Sequence, residues 1–421
     1  MYKYALIRLT GFFLWAWLFS SCISIEVEER LKRTVLFYIG SDTNGLDNGS
    51  AGDEPLQQIN AIRAGWKPGR GELLIYADQT NRPPCLMRIK ETRSADGLFA
   101  IDTLQVYKEE NSADAAVLGR VIRTVIKNYP ADSYGMLFFS HASGWLPEGL
   151  LTHPRSSATD DNTSPRSLVI DKGDGTSHEM SYIDFAAAIP DGLFDFIIFD
   201  ACLLADVVTM YELRHKAAYV VASSAEIVSP GFTPIFRNEI MRLFDTTLPT
   251  SYIVTAFAQS YMDYIKKTFP EGDLYCSATL SVIKMSEMQN LALTVKAAIN
   301  GVLINEKTLT ADSIQRFDRP NKLILNGQRR NRYFDLGHVI ESLSTNLHYA
   351  SFLTQLDHTV IWKSHTKRFL LQDMPDGVPY YAEYDGFFIE RHSGLTTYIE
   401  QTVYPFLNSA YRNSSWYKAV Y

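Results

Sequence analysis

The first half of the chain alternates short, continuous apolar runs with segments in which apolar residues recur every three or four positions. Few architectures accept that rhythm. Strands buried on both faces need unbroken apolar runs, and parallel strands need crossover connections, so the pattern predicts a mostly parallel sheet covered by helices on both sides. Residues 33–40 and 72–77 read as the first two strands, with a helix near 56–64 between them, and 85–91 offers a further strand. Residues 114–128 place Val117, Val121, Ile122 and Val125 at helical intervals and stop before Pro130, as a crossover helix does. Residues 136–139, 194–199 and 219–222 read as three more buried strands, with a helix over 203–215 between the last two. The fold class expected is α/β.

Residues 146–181 break the rhythm, being rich in Pro, Ser, Thr, Asp and Gly. They predict an exposed loop with a hairpin made of 167–171, a turn at 172–175, and 180–183. Beyond residue 245 the pattern turns helical, at 252–267, 286–299 and 335–343, with a strand at 277–283 and late aromatic-rich strands. The expected organisation is a terminal segment over 1–22, an α/β domain over 31–245 with 146–181 as its loop insertion, and a smaller α+β region over 246–421 packed on it.

Residues 1–21 carry Lys3 and Arg8 but no acid, followed by an apolar run at 11–19 and then Ser20-Ser21-Cys22. That is the layout of an export signal. The apolar run makes about 14 Å of helix, under half of a roughly 30 Å hydrocarbon core, so it is too short to span. Cys22 behind two small residues resembles the acceptor cysteine of bacterial lipoproteins, which implies an exported protein held to a cell-envelope membrane, periplasmic or outer, by lipid on Cys22. With Cys22 set aside, Cys85, Cys202 and Cys276 remain, an odd number, so at least one thiol is free. No CxxC or Cys/His cluster exists, which excludes a disulfide scaffold or a structural zinc site. A net charge of −7 with no cluster of Lys and Arg leaves no electrostatic footprint for nucleic acid.

Chemistry is concentrated at two strand ends. His141 follows the strand at 136–139 and Cys202 follows the strand at 194–199. In a parallel sheet both emerge at the carboxyl-terminal edge, where open α/β folds bind ligands. Asp200 is placed to cap a helix whose first turn holds Cys202, and a helix N-terminus together with a neighbouring imidazolium would favour a thiolate. Asp42 and Asp78 end the first two strands on the same edge, and Glu226 follows the strand at 219–222. A serine hydrolase using Ser140 or Ser143 lacks the strand, GxSxG and helix context.

His141-Ala142-Ser143-Gly144-Trp145 after an apolar strand, and Phe199-Asp200-Ala201-Cys202-Leu203 closing the next, together resemble the clostripain-like cysteine peptidases, relatives of the caspases, gingipains and legumains. Residues 34–46, 211–214 and 222–234 add to the likeness, and 334–337 and 393–399 more faintly. The resemblance implies a caspase-like α/β sandwich and an endopeptidase with a His/Cys dyad that cuts after Arg or Lys. Carried over, Cys202 is the nucleophile, His141 the general acid/base, and backbone N–H groups at Ala142 or Ser143 and at Cys202 form the oxyanion hole. Where the family generally has Gly directly after the histidine, this chain has Ala142. The family implies that Asp200 lies near the pocket for the basic side chain; Asp42, Asp78 and Glu226, from their position on the same edge, are weaker candidates for substrate contact. It also implies self-cleavage between the histidine and cysteine strands, for which Arg155, Arg166 and Lys172 are the candidates.

The expected partner is a peptide or protein substrate with a basic residue before the scissile bond, and no cofactor is expected. Calcium, which some members of the family need, is the one cofactor the resemblance leaves open, although neither residues 160–162 nor 171–179 fit the EF-hand spacing. A catalytically silent surface lipoprotein that keeps the fold to bind a peptide or another partner is the alternative, which Ala142 leaves open.

Overall fold

A computed structural model describes residues 32–41, 54–79, 82–147, 169–171, 178–318, 324–325, 328–329, 331–371 and 386–421 of the 421-residue chain. The unit they build runs from residue 31 to the C-terminus. Its frame is a nine-stranded sheet: β1 (Thr34–Ser41), β2 (Glu72–Gln79), β3 (Arg82–Arg93), β4 (Phe99–Val106), β5 (Tyr134–Phe139), β6 (Phe194–Asp200), β7 (Ala217–Ala222), β8 (Thr279–Lys284) and β9 (Val360–His365). Across the sheet the order is β9-β8-β7-β6-β5-β1-β2-β3-β4.

Five neighbours, β2, β1, β5, β6 and β7, are parallel. Antiparallel β3 and β4 extend one edge, and antiparallel β8 and β9 the other. The unbroken apolar runs are explained by two cores. Leu36, Tyr38, Met136, Phe138, Ile197, Phe199 and Val220 face one layer, which includes α2 (Ala115–Asn128), α3 (Tyr182–Ala188), α4 (Val207–Glu212) and α7 (Met288–Ile299). Val35, Phe37, Ile39, Leu137, Phe139, Phe196, Ile198 and Val221 face the other, with α1 (Glu54–Gly65), α5 (Thr233–Glu239) and α6 (Thr250–Thr268). Phe138 sits edge-on to both Phe185 and Phe199, with centroids 5.2 and 5.5 Å away. Large side chains buried like these each contribute roughly 1.5–3 kcal/mol, so the two faces together hold the parallel strands in register.

Several elements depart from the sequence reading. Edge strand β4 escaped it because its side chains are mostly half-exposed and carry no buried run. Residues 180–183 were expected as a hairpin strand, but Ser181 accepts the Asp184 amide at 2.6 Å and caps α3 there. The hairpin itself pairs Val169–Asp171 with His178–Met180. The boundary expected near residue 245 does not divide the sheet: β8 and β9 close its edge, so the later residues are part of the same unit. The turn at 172–175 and the segment 1–22 lie outside the described residues, and among the described residues no helix is long and apolar enough to cross a membrane.

Candidate active site

Parallel strands β5 and β6 are paired with Phe139 opposite Asp200. His141 and Cys202 each follow that pair by two residues, so the fold delivers both to the carboxyl-terminal edge on strands that neighbour one another, about 4.8 Å apart. Both side chains are half-buried.

The turns that carry them are in contact. Gly144 takes a left-handed conformation (φ +58°), and its amide plane passes so close to the cysteine turn that a methyl group there would lie 2.5 Å from the Leu203 carbonyl oxygen. Only glycine fits such an approach at that φ. Ala142 is not among the positive-φ residues, so the conformational demand falls on Gly144, two residues beyond the position where the family generally has glycine. Trp145 follows, fully buried against Tyr398 and Tyr411 at centroid distances of 4.9 and 5.6 Å.

The cysteine side departs from the expectation of a helix N-terminus. Asp200 is the last residue of β6 rather than a cap, and Cys202 lies in a turn in which Leu203 takes φ +61°. The Leu203 and Ala205 amides donate to the carbonyls of Ala225 and Ser223, at 3.0 and 2.9 Å, instead of to a helical ladder. The helix therefore starts only at Val207, capped by Asp206, whose carboxylate accepts the Thr209 amide at 2.8 Å. Its positive dipole end is four residues past the sulfur and adds little there, since the effect fades within a turn. The Cys202 sulfur lies instead against the segment after β7, with the Ile227 amide 3.4 Å away and the Ile227 carbonyl 3.9 Å away. Glu226, half-buried, precedes that contact.

Asp200 is enclosed. Its Oδ2 accepts the Phe232 amide at 3.0 Å and the Gln58 side chain at 3.1 Å, and its Oδ1 lies under Gly231, where a methyl group would sit 2.3 Å from it. Burial raises its pKa to about 7, Glu54 pushes the same way, and the Phe232 and Gln58 hydrogen bonds oppose them. Asp78 is fully buried, and its Oδ2 accepts the Ser112 amide at 3.2 Å, an internal role that removes it from the substrate side. Cys85, half-buried, and Cys276, buried, are free thiols whose pKa burial pushes upward. Asp42, Arg155, Arg166, Lys172 and Cys22 lie outside the described residues.

Three groups at this site escaped the sequence reading. Asp206 had a local signal, an acid three residues before Thr209. Gly231, left-handed over Asp200, had a weak one in Pro230-Gly231. Tyr333 had none, because it reaches the histidine turn from 190 residues away, donating its hydroxyl proton to the Ser143 carbonyl.

A family model described as the clostripain family, Peptidase_C11, matches residues 55–416. Among solved structures, that of an inactive zymogen C11 protease from Parabacteroides distasonis is 26% identical, with a TM-score of 0.71 over 93% of this chain and 99% of that one. A secreted C11 cysteine protease from Bacteroides thetaiotaomicron, in complex with an irreversible peptide inhibitor, gives the same identity, TM-score and coverage. A further structure of a secreted C11 cysteine protease from that organism, 18% identical with a TM-score of 0.70, shares the fold over 93% of this chain and 99% of its own. The comparison with curated proteins gave no match.

Proposed function

Since the chain belongs to the clostripain family and is a cysteine peptidase, we propose that it hydrolyses peptide bonds after Arg or Lys with a His141/Cys202 dyad. The observation that supports this reading is the register of β5 against β6, in which the strand ends preceding His141 and Cys202 are neighbours at the carboxyl-terminal edge.

In the proposed reaction the Cys202 thiolate attacks the scissile carbonyl, and backbone N–H groups at Ala142 or Ser143 and at Cys202 receive the developing oxyanion. His141 gives its proton to the leaving amine, and the thioester acyl-enzyme forms. A water molecule deprotonated by His141 then releases the acyl product and restores the thiol. Asp200, on the strand that leads to Cys202, is the proposed selector for a basic side chain: a guanidinium or ammonium that displaced the Gly231 segment now covering it would pair with a carboxylate that is otherwise costly to ionise. Glu226 and Asp42 are proposed as further acidic contacts. Self-processing at Arg155, Arg166 or Lys172, export, and lipid anchoring through Cys22 in the cell envelope complete the proposal.

The test is labelling by a peptide acyloxymethyl ketone ending in Arg or Lys. The reagent is expected to modify Cys202 in the wild-type protein and to leave Cys202→Ala unmodified, with at least a hundredfold slower labelling of His141→Ala. Equal labelling rates for wild type and His141→Ala would remove the dyad.

A further inference from the structure

Three groups meet over the unsubstituted face of Gly144. A methyl group there would lie 2.5 Å from the Leu203 carbonyl oxygen and 3.0 Å from both the Asp206 Oδ2 and the Tyr333 hydroxyl. The first two belong to the cysteine side and the third arrives from the C-terminal half. Tyr333 donates to the Ser143 carbonyl, which also accepts the Leu146 amide at 3.3 Å across the turn, and the Leu146 amide favours the phenol oxygen as well.

Tyr333 is itself fixed. It is fully buried, its amide donates to Asp318 Oδ1 at 3.2 Å, and its carbonyl accepts the Phe317 amide at 2.9 Å. Asp318 is buried too and is paired with Arg332 at 3.0 Å. The hydroxyl is thus a rigid donor aimed at the turn that follows His141 by two residues.

We propose that Tyr333 is a positioning residue for the peptidase reaction: its hydroxyl locks the Ser143–Leu146 turn onto the Leu203 carbonyl and so fixes the imidazole of His141 relative to the sulfur of Cys202. The proposal rests on the His141/Cys202 dyad. The hydroxyl's partner, Ser143, lies beyond the end of β5, so this bond is not one of the sheet's strand pairings. It acts where two left-handed turns from different strands must keep one separation, a geometry to which proton transfer is steeply sensitive.

The experiment compares wild type, Tyr333→Phe and His141→Ala by kcat and KM on a peptide with a basic residue before the scissile bond. It also follows the pH profile of Cys202 alkylation by iodoacetamide. Tyr333→Phe keeps the ring and the backbone bonds, and is expected to lower kcat about tenfold with KM within twofold. Its alkylation profile should move toward that of His141→Ala, because the thiolate loses part of its imidazolium partner. Should phenylalanine not fold, 4-fluorophenylalanine placed at 333 fills the same space without a donor and is read identically. A lower melting temperature with kcat and the alkylation profile unchanged would assign Tyr333 a structural role only and overturn the proposal. A wild-type profile identical to that of His141→Ala would remove the dyad, and the positioning role with it.

Discussion

At the scale of single residues the site turns on how carboxyl groups are held. Asp200 is enclosed by α1 and the segment after β7, and burial lifts it to about 7. Its ionisation therefore falls inside the working range of a thiol peptidase. If Asp200 selects the basic side chain, kcat/KM for such substrates rises through about pH 7 as the carboxylate forms, since that parameter reports groups of the free enzyme. Asp200→Asn is expected to flatten this limb and to cut the preference for basic over neutral side chains by roughly 10- to 100-fold, the worth of one charge-assisted hydrogen bond. Measured kcat/KM profiles from pH 5 to 9 on Arg, Lys and norleucine peptides check it. A limb near pH 7 that persists in the variant would assign the ionisation elsewhere.

Elements carry the next level of constraint, and α4 shows how one is set. Its cap, Asp206, is almost wholly buried, and burial raises its pKa to about 7 while the Thr209 amide pulls it down. A carboxyl raised in the folded state stabilises the fold most below its unfolded pKa, near 3.9. That stabilisation is lost as pH climbs through about 7, when the native state must ionise a group it prefers neutral. At ~1.4 kcal/mol per pH unit the loss amounts to a few kcal/mol. Asparagine caps as well as aspartate and does not ionise, so Asp206→Asn is expected to weaken the fall in stability between pH 4 and 7 and to raise the melting temperature at pH 8. Urea unfolding across that range measures it, and parallel curves for the two proteins would refute it. The parallel strands and α2 were legible because each is a long apolar run or stripe, read through periodicity alone. The start of α4 was misplaced because its first turn was lost to long-range bonds from Leu203 and Ala205 to the segment after β7, which no local pattern encodes. That His141 and Cys202 follow neighbouring strands was legible for the same reason as the strands themselves. Their neighbours Gly231 and Tyr333 gain meaning only from what folds over them.

For the whole molecule the consequence is that the histidine turn depends on residues far beyond the motif that announces it. Trp145 is packed on Tyr398 and Tyr411, Tyr333 holds Ser143, and the Thr396 amide donates to the Ala205 carbonyl at 2.8 Å beside the cysteine turn. On the sheet, β8 pairs with β7 from Ser281 opposite Ala222 to Lys284 opposite Tyr219, covering an edge that would otherwise present unpaired N–H and C=O groups. A chain restricted to residues 31–245 keeps both motifs but loses every one of these contacts. It is expected to show no cooperative thermal transition by near-ultraviolet circular dichroism, to associate through the bared β7 edge, and to leave Cys202 no more reactive toward a basic peptide ketone than an unstructured thiol. A soluble fragment that melts cooperatively and is labelled at the full-length rate would show that the α/β half stands alone, and that the C-terminal aromatic residues only cover it.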